Sequence, residues 1–340
     1  MKGANLIAFN QIEVQEFPKP ELQNDEALIK VEYAGICGSD VHVFSGHHAT
    51  AKPPLIQGHE FSGTLAEIKT THKTDLKVGD HVVVQPIISC NTCDLCVQGK
   101  ENLCSNLNIL GINTAGCFAE YVKVPLKKVY KVSPNIDLKL AALMEPLAVA
   151  VHDVRNAEFM AGQTAFIIGG GPIGLLIAMV ARLSGASKIV ISEINDSRIK
   201  FIEEYGFTVL NSLKVNVQEE ALRMTNGEGF DAVFEVSGSR PGQALMTEIC
   251  KLGGSIIPIG FPKENNPINS NSIITKELRV KGVRVHAQIN FAAAVDIMES
   301  GVLNDQLYKL ITNEFKLSEI QEAMKFSIED QEHFKVILKI

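Results

Sequence analysis

The sequence has no surplus of positive charge, no apolar run long enough to cross a bilayer, no low-complexity tract and no internal repeat. Lys and Arg total 32 against 39 Asp and Glu, a net charge of −7. That balance argues against wholesale nucleic-acid binding. The longest apolar stretches, Thr164–Ile168 and Leu175–Ala181, end at glycines, a proline or Arg182, well short of the ~20 residues a membrane helix needs. The opening residues Met1-Lys2-Gly3-Ala4-Asn5 run directly into a strand-like stretch, without the basic-then-apolar pattern of a secretory leader. The seven cysteines are odd in number, which speaks against a secreted disulfide framework. A cytoplasmic protein acting on small molecules, with neither nucleic acid nor membrane as partner, is the expectation.

What the chain does have is length. Its 340 residues suffice for two domains at roughly 100–200 residues each, with a core that needs no crosslink to fold. Up to about residue 145 the texture is β-rich, with Ala27–Tyr33, Gly63–Ile68, His81–Val84 and Phe118–Val122 set apart by Gly, Pro and Asp. From about Val149 strands and helices alternate: Gln163–Gly169, Lys188–Glu193, Phe230–Ser237 and Gly254–Gly260 as strands, Pro172–Leu183 and Asp196–Tyr205 as helices. That alternation predicts an α/β unit with a doubly wound parallel sheet. Helices are expected at Phe291–Ser300 and Leu317–Lys325. The last strand, Phe334–Ile340, has no partner in the doubly wound part and is expected to return to the first domain.

Four of the cysteines form Cys90-x2-Cys93-x2-Cys96-x7-Cys104. Spacers this short let four thiolates close around one tetrahedral ion, and a fully thiolate-ligated zinc has no open position, so the reading is a structural zinc. A four-iron cluster competes, but its usual run ends with a three-residue spacer and a proline; here Ser105 follows a spacer of seven.

Gly169-Gly170-Gly171-Pro172-Ile173-Gly174 follows an apolar strand and opens a helix. In a dinucleotide turn the first glycine allows the tight bend, the second lets backbone approach a pyrophosphate and the third lets helix pack on strand. Glu193 ends the next strand, nineteen residues after Gly174, where a carboxylate would hold the ribose hydroxyls and repel a 2′-phosphate. This favours NAD over NADP, with Arg198 as the nearby cation that could accept the phosphate instead.

A further set, Gly35-Ile36-Cys37-Gly38-Ser39-Asp40-Val41-His42 with Gly58-His59-Glu60, offers a soft, an intermediate and a hard donor in Cys37, His59 and Glu60. These are ligand types of a catalytic zinc with an open position, although single Cys and His residues are also ordinary core residues. Adjacent His59 and Glu60 can face one ion only if the backbone bends, and Gly58 supplies the means.

Taken with the cysteine loop, Glu145-Pro146-Leu147-Ala148-Val149-Ala150 and the glycine turn in the same order, this set resembles the zinc-dependent medium-chain dehydrogenases over essentially the whole chain. The sorbitol and threonine dehydrogenase branch is the most similar. The resemblance implies a GroES-like β-rich catalytic domain, 1–146 and 286–340, carrying two zinc ions and interrupted by a Rossmann NAD-binding domain, 147–285. Cys37, His59 and Glu60 are then ligands of the catalytic zinc, and Glu145 is a fourth that binds and steps back when substrate docks. Ser39 and His42 correspond to the hydroxyl–imidazole proton relay. Gly169, Gly171, Ile173, Gly174, Glu193, Arg198, Gly260, Val283 and Arg284 correspond to cofactor contacts.

The implied reaction is zinc- and NAD-dependent oxidation of a secondary alcohol of a polyol or sugar acid to a ketone, by a homodimer or homotetramer. A threonine or butanediol dehydrogenase, or a metabolite-binding regulator that keeps the fold, is the alternative. Sorbitol dehydrogenases carry an Arg-Tyr pair where Val285 and His286 stand here, with Arg284 one position early. Ser45-Gly46-His47, Pro53-Pro54 and Asp330-Gln331-Glu332-His333 instead resemble bacterial hexonate dehydrogenases. A substrate carboxylate would then call on Arg284, His47, His48 or His286. Cys117, where relatives commonly have glycine, reads as a buried thiol.

Overall fold

Runs of branched and aromatic residues flanked by turn signals become antiparallel strands through the first part of the chain, as in the pairing of Glu26–Gly35 with Glu60–Lys69. The computed structural model describes residues 1–262 and 264–340. It divides into two compact units, Met1–Ala148 with His286–Ile340, and Val149–Val285.

In the first unit a seven-stranded sheet runs in the order Val129–Lys131, His81–Val84, Glu60–Lys69, Glu26–Gly35, Lys335–Lys339, Ile311–Lys316, with Tyr121–Pro125 also paired to Glu26–Gly35. Ala27, Ile29, Val31, Phe61, Leu65, Val82, Val336 and Leu338 fill its core. The closing strand joins this unit: it lies parallel to Ile311–Lys316 and antiparallel to Glu26–Gly35, with Ile337 opposite Gly35 and Leu338 opposite Ala34. Gly35 is also opposite Glu60 on the other side. This double register brings the C-terminal strand to the edge of the His59–Glu60 bend.

The second unit has six parallel strands in the order Thr208–Asn211, Lys188–Glu193, Thr164–Ile168, Phe230–Glu235, Cys250–Pro258, Arg279–Val280. Counted along the chain this is 3-2-1-4-5-6, the doubly wound dinucleotide-binding order. Helix Pro172–Leu183 is buried continuously from Gly174 to Ala181, which is why its sequence is apolar on every side.

Several boundaries differ from the sequence reading for local reasons. The fifth parallel strand starts at Cys250, ahead of Gly254, because a register shift absorbs Gly253 at φ +71°. Helix Gln288–Glu299 starts three residues before Phe291, since Asn290 Oδ1 accepts from Ala287 N at 3.0 Å and Glu101 accepts from Gln288 N. Leu317–Glu319 is a 3-10 turn, and the α-helix proper runs Ile320–Glu329. Helix Met144–Asn156 accommodates Pro146 in its first turn, where a missing N–H costs nothing. No helix among the described residues is long and apolar enough to cross a membrane.

Gly174 tests the tightness of this packing, because a Cβ there would overlap the Gly169 carbonyl oxygen and touch Ile167 at 3.4 Å. Gly174→Ala is expected to cost about 1–3 kcal/mol, lowering the urea midpoint followed by circular dichroism. An unchanged midpoint would refute the close approach.

Candidate active site

Cys37 sits where strand Glu26–Gly35 has ended and helix Gly38–Phe44 begins, as the residue capping that helix. His59 and Glu60 sit where strand Glu60–Lys69 begins, after a bend at Gly58 with φ +93°. A Cβ on Gly58 would overlap the Phe118 ring and lie 2.8 Å from Cys117 Sγ, so both its conformation and its surroundings require glycine. Cys117 is fully buried behind this bend, its Sγ 3.9 Å from the Glu60 carbonyl. The bend turns His59 and Glu60 to the same side: one ligand atom from each of Cys37, His59 and Glu60 lies within 4.8 Å of the others.

Asp40 joins the two loops. Its Oδ2 accepts from Cys37 N at 3.0 Å, its Oδ1 accepts from Gly58 N at 3.2 Å, and its backbone oxygen accepts from Gln57 Nε2 at 2.9 Å. Asp40 Oδ1 also faces His59 Nδ1 at 3.6 Å, which leaves Nε2 directed to the cluster. Lys335, from the closing strand, is ion-paired with Glu60 Oε2, and both are buried. Gly35 makes room for this pair, since a Cβ there would overlap the Glu60 carboxylate and reach 2.9 Å from Lys335 Cε.

Glu145, in the first turn of helix Met144–Asn156, is buried with Oε1 3.2 Å from His286 Nε2. It is not part of the 4.8 Å cluster.

Burial works against charge throughout this pocket, and the partners decide the outcome. Burial opposes protonation of His59, yet Asp40 and Cys37 raise its pKa well above the ordinary value. Burial pushes Glu60 up, Lys335 pulling back. Burial likewise acts upward on Glu145, but His286 prevails and the carboxyl lies below its usual range. Burial would discharge Lys335, but Glu60 and Cys37 raise it. Three carboxyls and a thiol thus face one lysine and two imidazoles. Soft, intermediate and hard donors in a buried pocket with surplus acid suit a divalent zinc, and the residues fit it.

Ser39 Oγ is 3.4 Å from His59 Nε2. His42 is exposed three residues further along the same helix, a spacing that puts the two on one helical face. His47 is exposed and His48 half-buried, its Nδ1 accepting from Thr50 N and Ala51 N. His286 is fully buried against Glu145, so it is not a loop histidine offered to a substrate carboxylate. Sequence reasoning also missed Lys335 and the tie made by Asp40. The one signal for Asp40 was its place in the first turn of a helix that starts at a candidate ligand.

The cysteine loop is a compact lobe. Cys90 Sγ lies 3.9 Å from Cys96 Sγ and 3.4 Å from Cys104 Sγ, and Cys93 Sγ lies 4.0 Å from Cys104 Sγ. Zn–S bonds of ~2.3 Å give a tetrahedral S–S edge of about 3.8 Å, so the four sulfurs fit one zinc. Backbone N–H groups of Cys93 and Asn106 point at Cys90 and Cys104 Sγ, at 3.4 and 3.3 Å. Donors from the Thr92 backbone and side chain and the Cys93 backbone bring the Cys90 thiol down to about 5.

In the second unit, Gly169 takes φ +106°, Gly171 caps helix Pro172–Leu183, and a Cβ on Gly171 would meet only Arg198 Nη1, at 3.9 Å. The helix start is thus open to an anion, with a guanidinium beside it. Ile173 lies half-buried in the first turn. Glu193 Oε2 accepts from Gly170 N at 3.0 Å, and its Oε1 accepts from Ile194 N at 2.6 Å and Asn195 N at 3.0 Å. Gly170, which sequence reasoning did not single out, is therefore the link between turn and carboxylate. Gly260 packs on Gly238 at the end of the fifth strand, while Val283 is half-buried and Arg284 exposed.

Comparison with known proteins bears on the whole chain. An alcohol dehydrogenase GroES-like domain model matches residues 23–134 and a zinc-binding dehydrogenase model matches residues 172–300. The chain is 37% identical over 324 residues to 2-dehydro-3-deoxy-L-galactonate 5-dehydrogenase of Pseudoalteromonas atlantica, covering 95% of this chain and 94% of that one. It is 36% identical over 316 residues to L-threonine 3-dehydrogenase of Bacillus velezensis, covering 91% and 90%. A Sinorhizobium meliloti structure described as a zinc-binding dehydrogenase, solved with NADP bound, superposes with TM-score 0.92 at 32% identity, over 100% of this chain and 99% of that one. With two family models in sequence order and relatives above 30% identity along nearly its full length, the chain belongs to the zinc-binding alcohol dehydrogenase family.

Proposed function

We propose that this protein oxidises a secondary alcohol of a polyol or sugar acid to the ketone, with zinc held by Cys37, His59 and Glu60 and NAD held at the Gly169–Gly174 turn. The convergence of those three ligand atoms within 4.8 Å carries the reading. When bound, zinc supplies a Lewis acid that lowers the pKa of the alcohol, and NAD supplies the hydride acceptor.

The chain's own residues do the rest. Asp40 orients His59; one thiolate and one carboxylate balance a divalent charge, and Lys335, ion-paired with Glu60, offsets part of the negative charge that the further carboxylates bring to the pocket. Ser39 is positioned to take the alcohol proton and pass it along the helix face to exposed His42, and thence to solvent. The four-cysteine lobe holds the second, structural zinc.

Glu193 supports NAD, because its carboxylate is held by three backbone N–H groups and would repel a 2′-phosphate. Arg198, beside Gly171, is the residue that would receive such a phosphate. The Sinorhizobium structure holds NADP; in this chain Glu193 and Arg198 are the two side chains that bear on the choice. The sugar-acid and threonine relatives both act on compounds with a carboxylate, which supports Arg284, His47 and His48 as substrate contacts. The threonine-type reaction is the second reading. The resemblance also implies a cytoplasmic homodimer or homotetramer.

Removing metal with a chelator is expected to abolish NAD reduction on a panel of hexonates, pentitols, threonine and butanediol, with zinc restoring it. Cys37→Ser should lower kcat by several orders of magnitude while the four-thiol lobe keeps its zinc. Turnover that survives chelation, or a panel on which nothing is oxidised, would overturn the assignment. Glu193→Ala is expected to move the NAD-to-NADP ratio of kcat/KM toward NADP by about tenfold, equivalent to ~1.4 kcal/mol; an unmoved ratio would remove Glu193 from the discrimination.

A further inference from the structure

Glu145 is a carboxylate beside a three-donor cluster and yet outside it. It is near enough for its charge to act on both His59 and Glu60, but its Oε1 is 3.2 Å from Nε2 of His286, which is 0% exposed. Both ring nitrogens of His286 are buried and no hydrogen bond satisfies either among the described residues, so the Glu145 carboxylate, 3.2 Å from Nε2, is the acceptor within reach of the ring. The proton of a neutral imidazole therefore belongs on Nε2, facing the carboxylate.

The segment that carries His286 is held from several sides. Val285, immediately before it, has φ +44°, a conformation that a β-branched residue keeps only where its surroundings enforce it. Immediately after it, Asn290 accepts from Ala287 N at 3.0 Å, and the buried carboxylate of Glu101 accepts from Gln288 N. Glu101 lies in the cysteine lobe between Cys96 and Cys104, so the lobe itself braces the start of helix Gln288–Glu299. The Phe291 ring, centroid 5.6 Å from that of His286 at 31°, backs the imidazole and is itself 5.0 Å from Tyr130.

A carboxylate oxygen that accepts from an imidazole N–H is drawn away from a neighbouring cation. A three-donor zinc site keeps a position for substrate only while no fourth protein ligand fills it. We propose that His286 is a positioning residue that draws Glu145 off the zinc seat and keeps the fourth position open. The proposal rests on the zinc reading above and adds to it the residue that sets the state of Glu145.

Cobalt(II) introduced at this site, with zinc left in the four-thiol lobe, reports the donor set through its ligand-field bands. Glu145→Gln is expected to leave those bands unchanged, because Glu145 is not bound. His286→Ala is expected to shift them and to slow cobalt loss to a chelator several-fold, as the released carboxylate closes the fourth position. The double variant should revert to the Glu145→Gln spectrum. Bands and loss rate unmoved by His286→Ala, or a shift that persists in the double variant, would overturn the proposal. Bands moved by Glu145→Gln alone would do so too, even if the alanine variant fails to fold. A protein that takes up metal only in the four-thiol lobe would instead overturn the zinc reading, and the proposal with it.

Discussion

A fully buried carboxylate, satisfied by the two loops it connects, is the constraint on which the Cys37, His59 and Glu60 cluster is built. Asp40 accepts one backbone N–H from Cys37 and another from Gly58, so the residue bearing the thiol and the bend bearing the imidazole are fixed by the same side chain. Its place in the first turn of helix Gly38–Phe44 adds the favourable end of the helix dipole. Burial still raises the Asp40 carboxyl, His59 and the two N–H donors pulling the other way. The arrangement is therefore sensitive: a buried acceptor that loses one donor carries its desolvation cost unrelieved. Strands, core and glycine bend all serve to bring these donors to that one carboxylate.

The second unit uses the same device for a different end. Glu193 is held by three backbone N–H groups from the phosphate turn and the residues just after its own strand. In both places a carboxylate is oriented by main chain rather than by a flexible cation, which fixes its direction at little side-chain entropy. Lys335 with Glu60 and His286 with Glu145 are the contrasting case. There, buried side chains meet side chains, and removing either partner leaves a charge or an acceptor uncompensated.

Legibility in the sequence followed the distance over which each interaction acts. The four-thiol lobe, the glycine turn and Glu193 are written in local spacing, and the parallel order follows from alternating strands and helices. Cys37, His59 and Glu60 were visible as donor types, and Gly58 announced the bend that brings them together. Lys335 and His286 were not visible. Lys335 reaches Glu60 only because Ile337 registers on Gly35, and Gly35 on Glu60. His286 reads as a loop residue until Asn290, Glu101 and Phe291 are seen to enclose its segment. The early start of helix Gln288–Glu299 escaped for the same reason, because part of its cap comes from a residue 187 positions away.

The central strand of the first unit has the closing strand as its immediate neighbour, and Lys335, the cation facing Glu60, comes with it. During synthesis Cys37, His59 and Glu60 emerge from the ribosome long before Lys335, with the whole parallel-sheet unit translated in between. Until the closing strand is made, the Glu26–Gly35 strand has an open edge on that side. The charge balance at Glu60 thus belongs to the finished polypeptide rather than the growing one.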